Sequence, residues 1–488
     1  MAEALPSQSQ ADLRLPIEVH ERVIDAIFDD RYSLVLDALA MLSSCALVCR
    51  AWRPRAQRIL FEYVLLRDKD ALFRLAELIN ASPELGTYVR KLALRGYLHV
   101  PYSLVVLFLT ALRGKLPNLS LLNIQGFDDE EKAANPIPEA QKELPTLPIH
   151  RYFPSLVKSI SHIHSLSLVA VKFPSFGDFA RFLAALPNLT DLFCLRVSWA
   201  VLGQEPACMA KRNPRDSRKT FLPNLKKLAY YAMDGEGRQR LLSALSPSLL
   251  EVHITFPSVP PAQVQVEKSD LEQKAPSLAL DLRPFPCMDR VFCLLAPFPQ
   301  PHDRTLQAVQ DTLLSWVPEG GKKLGGGPPI ERLLYLRPWG RDLFKREEYV
   351  ALLRALGPVV EAALCTREPP EGGLGNPTGG DTDAHTETDP CKAELVVLDL
   401  GDKLEWEDWW RAAMTECFPT LSRWNKVDLY TSHATDPTSR WQDQDSTPQD
   451  YADRMRAIAE ARRRLKQMNR FVATRGVLVR RRWKWKRN

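Results

Sequence analysis

Long hydrophobic runs are missing from this 488-residue chain. The longest, around Leu104 to Leu112, falls well short of the ~20 apolar residues that a bilayer-spanning helix needs, so no membrane partner is expected. The opening, MAEALPSQSQ, carries no basic segment ahead of an apolar one, so it does not read as a secretory leader. The nine cysteines (Cys45, Cys49, Cys194, Cys208, Cys287, Cys293, Cys365, Cys391 and Cys417) are odd in number, thinly spread and without a Cys-x-x-Cys pair. That excludes the disulfide framework of a small secreted domain. The expectation is an intracellular chain, in cytoplasm, nucleus or both, with reduced thiols.

Catalytic signatures are scarce as well. His162 and His164 are expected on one face of a strand, but no Cys or carboxylate stands near them at metal-ligand spacing. His20-Glu21 lacks the second histidine of a zinc-protease helix. The glycine-rich GGKKLGGGPP (residues 320–329) lacks the Gly-Lys-Ser/Thr ending of a phosphate loop and has prolines where a helix would begin. No Gly-x-Ser-x-Gly elbow occurs. Cys45 and Cys49 share a helical face but have no partner pair, so they read as small buried hydrophobes. No enzymatic activity, cofactor or metal site is expected.

The net charge of +6 hides an asymmetry. Residues 451–488 hold fourteen Lys/Arg against two acids, a net +12, which leaves −6 for the other 450 residues. Attraction to polyanions therefore belongs to the tail. Its closing VRRRWKWKRN interleaves Trp483 and Trp485 with cations, a composition suited to nucleic acid, anionic lipid or an import receptor, and equally to a solvated terminus.

What is present is a change of periodicity along the chain. Val19, Val23 and Ile27 fall one helical turn apart, and Leu39, Leu42, Ala46 and Cys49 continue a helical spacing after Asp29-Asp30-Arg31. Pro16 sits where a first helical turn tolerates a missing N–H. From Val89 onward an L-x-x-L-x-L spacing recurs: Val89/Leu92/Leu94, Leu119/Leu122/Ile124, Ile163/Leu166/Leu168, Leu189/Leu192/Cys194, Leu225/Leu228/Tyr230 and Leu249/Val252/Ile254. Ile330/Leu333/Tyr335, Leu395/Leu398/Leu400 and Trp424/Val427/Leu429 are weaker instances. Several open on Pro-Asn-Leu or Pro-Ser-Leu, at Pro117, Pro187, Pro223 and Pro247. Amphipathic helical stretches such as DALFRLAELINA, FGDFARFLAALP and RQRLLSALSP precede strands. The unit is helix, proline turn, strand. Stacking it predicts a parallel sheet with helices outside, because one unit cannot bury its apolar face alone. Trp406, Trp409 and Trp410 are expected to pack the last units, with a partner-binding hot spot as the alternative.

The most specific local signal is Leu15-Pro16-Ile17-Glu18-Val19, with Val23 and Ile27 following, and then Ala46-Leu47-Val48-Cys49-Arg50-Ala51-Trp52. These roughly forty residues resemble the two halves of the F-box, and the layout resembles the expanded F-box-like families of mushroom-forming fungi. The stretch from Asp29 to Ser44 is longer than the usual connection between the halves. The resemblance implies a helical unit that docks on the SKP adaptor of a cullin-RING ubiquitin ligase, with Leu15, Pro16, Ile17, Val19, Leu47, Val48 and Trp52 at or just beneath the adaptor surface. It also implies a C-terminal domain, often of leucine-rich repeats, that captures the protein to be ubiquitinated.

The expected fold is therefore α/β: an N-terminal helical F-box-like module followed by an irregular leucine-rich-repeat-like solenoid with loop insertions. Residues 1–14 are expected to be disordered, 15–60 to form the module, 61–432 the repeat domain, and 433–488 a linker and basic tail. Insertions are expected near 128–148, 257–286, 318–329 and 368–392, where Pro, Gly and charge replace the apolar pattern. The expected function is substrate recognition in an SKP-cullin-F-box type ligase, with an unknown target protein. The alternative is a repeat scaffold without a ubiquitin role, recruiting nucleic acid through its tail.

Overall fold

The computed structural model describes residues 17–27, 35–48, 52–98, 100, 102–126, 146–150, 152–204, 208–209, 221–231, 233, 235–256, 279–295, 303–316, 332–338, 346–365, 395–403 and 406–432. Three helices come first: α1 (Ile17–Ile27), α2 (Val35–Val48) and α3 (Arg53–Glu62). Strands then alternate with helices: β1 (Tyr63–Leu66), α4 (Lys69–Ala81), α5 (Glu84–Tyr88), β2 (Lys91–Gly96), α6 (Leu104–Ala111), β3 (Leu121–Gly126), α7 (Phe153–Val157), β4 (Ser165–Ser175), α8 (Phe176–Ala184) and β5 (Asp191–Val201). The alternation continues through β6 (Lys227–Tyr231), α9 (Gly235–Ala244), β7 (Glu251–Phe256), β8 (Arg290–Leu295), α10 (Asp303–Trp316), β9 (Leu333–Pro338), α11 (Arg346–Leu364), β10 (Leu395–Lys403), α12 (Glu407–Cys417), α13 (Pro419–Arg423) and β11 (Val427–Ser432).

The eleven described strands join one parallel sheet in the order of the chain, each pairing with its neighbours in sequence, so that β1 and β11 form its two described ends. The connections all step the same way, and parallel crossovers are right-handed, so the intervening helices fall on one face. That face is the core. Leu92 and Leu94, Leu122 and Ile124, Leu166 and Leu168, Leu192 and Cys194, Leu228 and Tyr230, and Val252 and Ile254 are all buried in a single apolar cluster with residues of the helices, such as Leu72, Phe108, Phe179 and Leu241. Fully burying a side chain of this size is worth about 1.5–3 kcal/mol, and neighbouring units share the benefit.

The recurring proline turn has a structural role on both sides of the chain. In Leu116-Pro117-Asn118-Leu119, Leu186-Pro187-Asn188-Leu189 and Leu222-Pro223-Asn224-Leu225, both leucines are buried, and the second donates its N–H to the carbonyl of the first. The asparagine reaches back to the preceding unit. Asn118 Nδ2 donates to Thr87 O at 2.6 Å, Asn188 Nδ2 to Ser161 O at 3.1 Å, and Asn224 Nδ2 to Pro187 O at 3.0 Å. Ser248 Oγ replaces it in the next turn, donating to Pro223 O at 3.0 Å. Each such bond satisfies a carbonyl that the turn leaves outside the sheet ladder.

Several local expectations need correction. Leu334 and Leu336, not Leu333 and Tyr335, face the core of β9, so the Ile330/Leu333/Tyr335 spacing is out of register by one residue, which in a strand means the opposite face. His162 and His164 precede β4 rather than lying in it, and His162 Nε2 makes a 3.2 Å hydrogen bond with Leu116 O. Two strands, β1 and β8, have no counterpart in the leucine pattern; β8 turns Val291 and Cys293 inward instead.

Strands β4 and β5, 11 residues each, both carry a left-handed residue, Ala170 (φ 50°) and Arg196 (φ 53°), between register pairs Val169↔Leu195 and Val171↔Val197. The left-handed residue, one on each strand, inverts the alternation on both. Beyond it Val171, Phe173 and Val197 face the helices, and Trp199 packs against Phe176 at 5.0 Å between ring centroids.

Each of the four segments read as insertions lies within a connection between consecutive strands. Two of them end inside the core: Leu147 is buried and its N–H donates to Lys172 O at 2.8 Å, and Leu280, Leu282 and Phe285 are buried. Residues 1–16 and 433–488, including the basic tail, lie outside the described residues.

The tryptophan cluster resolves as packing. Trp410 is fully buried, ring centroids of Trp409 and Trp410 lie 4.9 Å apart, and the Arg346 guanidinium sits 3.8 Å over the Trp406 ring.

Candidate interaction surfaces

The N-terminal helices form a unit with a core of their own. Ile24 of α1, Leu42, Cys45 and Ala46 of α2, and Ala56 and Ile59 of α3 are buried together, with Trp52 and Leu60 packed at the edge. Arg55 of α3 clasps Asp25 of α1 through two bonds, Nε to Oδ1 at 2.8 Å and Nη2 to Oδ2 at 2.7 Å. The guanidinium, chiefly through these hydrogen bonds, holds the Asp25 carboxyl below the usual carboxylate range. The unit joins the stack through α3, which runs directly into β1; Glu62 O accepts from Arg90 N at 3.0 Å.

Large apolar side chains remain on the outside of this unit. Val19 and Val23, one turn apart on α1, are 39% and 45% exposed. On α2, Met41 is 54% exposed, Leu47 80% and Val48 66%. Val19, Leu47 and Val48 thus stand at the surface where the F-box-like resemblance places adaptor contacts. Trp52 is half-buried against the small core, so it sits beneath that surface. Ile17 opens α1, while Leu15 and Pro16 lie outside the described residues. Cys45 is buried as expected for a small hydrophobe, and Cys49 is outside the described residues.

A second surface was not singled out from the sequence: the face of the sheet turned away from the helices. Its residues are the ones between the core leucines. Across β5–β9 the central row reads Phe193, Ala229, His253, Phe292 and Tyr335 by register. His253 stacks on Phe292 with centroids 4.1 Å apart and planes 12° apart, and Phe292 stacks on Tyr335 at 4.1 Å and 5°. Tyr231 meets Phe193 edge-on at 5.3 Å, and its hydroxyl lies 3.1 Å from His253 Nδ1.

Glu251 anchors the row below. Its carboxylate lies 2.8 Å from His253 Nε2 and 3.5 Å from both Lys227 Nζ and Arg290 Nη1. The hydrogen bond from His253, aided by Lys227, holds its pKa below the ordinary 4.5 despite burial. Burial pushes the Tyr231 hydroxyl well above the usual phenol range, with Arg337 acting in the opposite direction.

Cys194 and Cys293 are buried inside the stack. Burial raises Cys194 far above its ordinary value and pushes Cys293 up to about 12. Among the described residues no group of three or more His, Cys, Asp or Glu is placed to hold a metal ion, and no helix is long and apolar enough to cross a membrane. No protein-family profile matches the chain, and no curated protein matches it.

Proposed function

We propose that the chain is the substrate-recognition subunit of an SKP-cullin-F-box type ubiquitin ligase. In this reading the three-helix unit docks on an SKP-type adaptor, and the stacked units, an irregular leucine-rich-repeat-like solenoid, hold the target protein. The supporting observation is the coexistence of a self-contained core around Ile24, Leu42 and Ile59 with outward Val19, Val23, Met41, Leu47 and Val48 on the same small unit. A unit that only capped the stack would turn its apolar residues toward the first repeat. Large apolar side chains left in water in close succession, Val19 with Val23 on α1 and Leu47 with Val48 on α2, support a contact site instead.

The role needs no catalytic group in this chain. Holding a target beside a transferase raises its effective concentration, and that alone accelerates transfer. The test is calorimetric titration of the full-length chain with a purified SKP-type adaptor, for which saturable binding is expected. A folded chain that gives no heat and does not co-elute with the adaptor would end the ligase reading. It would leave the scaffold alternative, with nucleic acid bound by the tail, to be tested by the salt dependence of that binding.

A further inference from the structure

We propose that residues 458–472 close the C-terminal end of the stack, laid as one amphipathic helix over the core-facing side chains of β11. The first argument is an apolar edge. By register Val427 and Leu429 of β11 stand beside Val396 and Leu398 of β10, and these in turn beside Leu334 and Leu336 of β9. Val396, Leu398 and Leu334 are 0% exposed, whereas Val427 and Leu429, in the same two rows, are only part-buried. Trp409 and Ala413 of α12 are likewise part-buried against the same cluster. The last strand of a stack leaves its core-facing side chains to water unless a further element covers them. Eight of the ten connections between consecutive strands contain a described helix, from α4 after β1 to α12 after β10, so a helix is the element that fits this architecture.

The second argument is the sequence beyond β11. Ile458, Ala461, Leu465, Met468 and Val472 recur at spacings of three, four, three and four, the period of one helix face. Arg463, Arg464, Lys466 and Arg470 fall between them. At 3.6 residues per turn the apolar stripe is only about 80° wide, which suits a helix with one apolar neighbour and water elsewhere. Fifteen helical residues run about 22 Å, against about 20 Å for the six residues of β11. The 25 residues between Ser432 and Ile458 can span up to about 80 Å, so the segment reaches this end of the stack. A tethered segment meets it at a far higher effective concentration than a second copy in solution does. The tail's net +12 also faces a body of −6, whereas two whole chains meet with a like charge of +6 each.

The test is hydrogen exchange of the full-length chain, read by mass spectrometry. Amides of residues 458–472 are expected to exchange at least about tenfold more slowly than in an unstructured peptide, at a rate independent of protein concentration. Leu465→Asp combined with Met468→Asp should abolish that protection and speed exchange across β11 at least about tenfold, with β2–β5 unchanged. Arg463→Gln, on the side of the helix opposite the stripe, should change neither. If the double variant proves misfolded across β2–β5, Leu465→Ala decides the matter, with a several-fold faster exchange expected in β11. Exchange of 458–472 in the wild type at the rate of an unstructured peptide overturns the proposal. Protection that the variants remove without any effect on β11 also overturns it, by placing the helix elsewhere. So does protection that grows with protein concentration alongside a dimer in sedimentation, which gives the end to a second copy. The adaptor titration bears on none of these outcomes, so this inference and the ligase reading stand or fall separately.

Discussion

Two leucine-to-alanine substitutions on the same helix separate docking from folding. Leu42 and Leu47 both lie in α2, but Leu42 is 0% exposed and Leu47 is 80% exposed. The change in helix propensity is the same for both, and small, so any difference in outcome comes from the surroundings. Leu42→Ala opens a void in a core of six buried side chains and should cost about 2–5 kcal/mol locally. Hydrogen exchange across α1–α3 would report it as an open population raised at least about 30-fold. Leu47→Ala should change stability by less than about 0.5 kcal/mol. If the adaptor covers most of that leucine, the lost burial is worth about 2 kcal/mol, or roughly a 30-fold weaker Kd. Val48→Ala should act in the same direction, somewhat less. The reasoning fails if Leu47→Ala speeds exchange as much as Leu42→Ala does, or if adaptor affinity survives Leu47→Ala and Val48→Ala together within twofold.

Gly357→Ala, inside α11, should destabilise although alanine is the better helix former by about 1 kcal/mol. An added Cβ would stand 1.8 Å from the Cys417 carbonyl oxygen, a backbone atom that cannot rotate away, so a net loss of about 1–3 kcal/mol is expected in urea titration. Asn188→Ala, which removes the bond to Ser161 O, should cost about 1 kcal/mol, against no measurable change for Asn→Ala at an unpaired surface site. Glu251 has a lowered folded-state pKa, so its contribution to stability is present above its ordinary value of 4.5 and is lost as pH falls through the folded value. Glu251→Gln should therefore be less stable at neutral pH and show a flatter acid limb; an unchanged acid limb would remove Glu251 from the account.

Much of the stack was legible because its signal is local and repeated. Leu92/Leu94 through Val252/Ile254 lie two residues apart, and that spacing alone assigns them to one face of a strand. The helices announced by DALFRLAELINA, FGDFARFLAALP and RQRLLSALSP occur as α4, α8 and α9. β8 escaped because the preceding segment had lost its apolar period. β9 was read one residue out because Leu333, Leu334, Tyr335 and Leu336 are all apolar, so hydrophobicity alone cannot set the register. The exposed residues of α1 and α2 could be named from the motif, but whether Trp52 stands on the surface or beneath it depends on three helices meeting.

By itself the sequence determined most of the helices and strands and, where leucine-type residues recur two apart between polar ones, which face is apolar, since these follow from the spacing of side chains along a single element. Only the tertiary structure decided what stands beside what across strands. The stack of His253, Phe292 and Tyr335 joins residues far apart in the chain, and the grouping of Lys227, Arg290 and His253 around Glu251 exists only because parallel register brings three strands level. Such neighbours are chosen by the sheet, whose hydrogen-bond ladder fixes alignment across the strands, and no period along the chain records it.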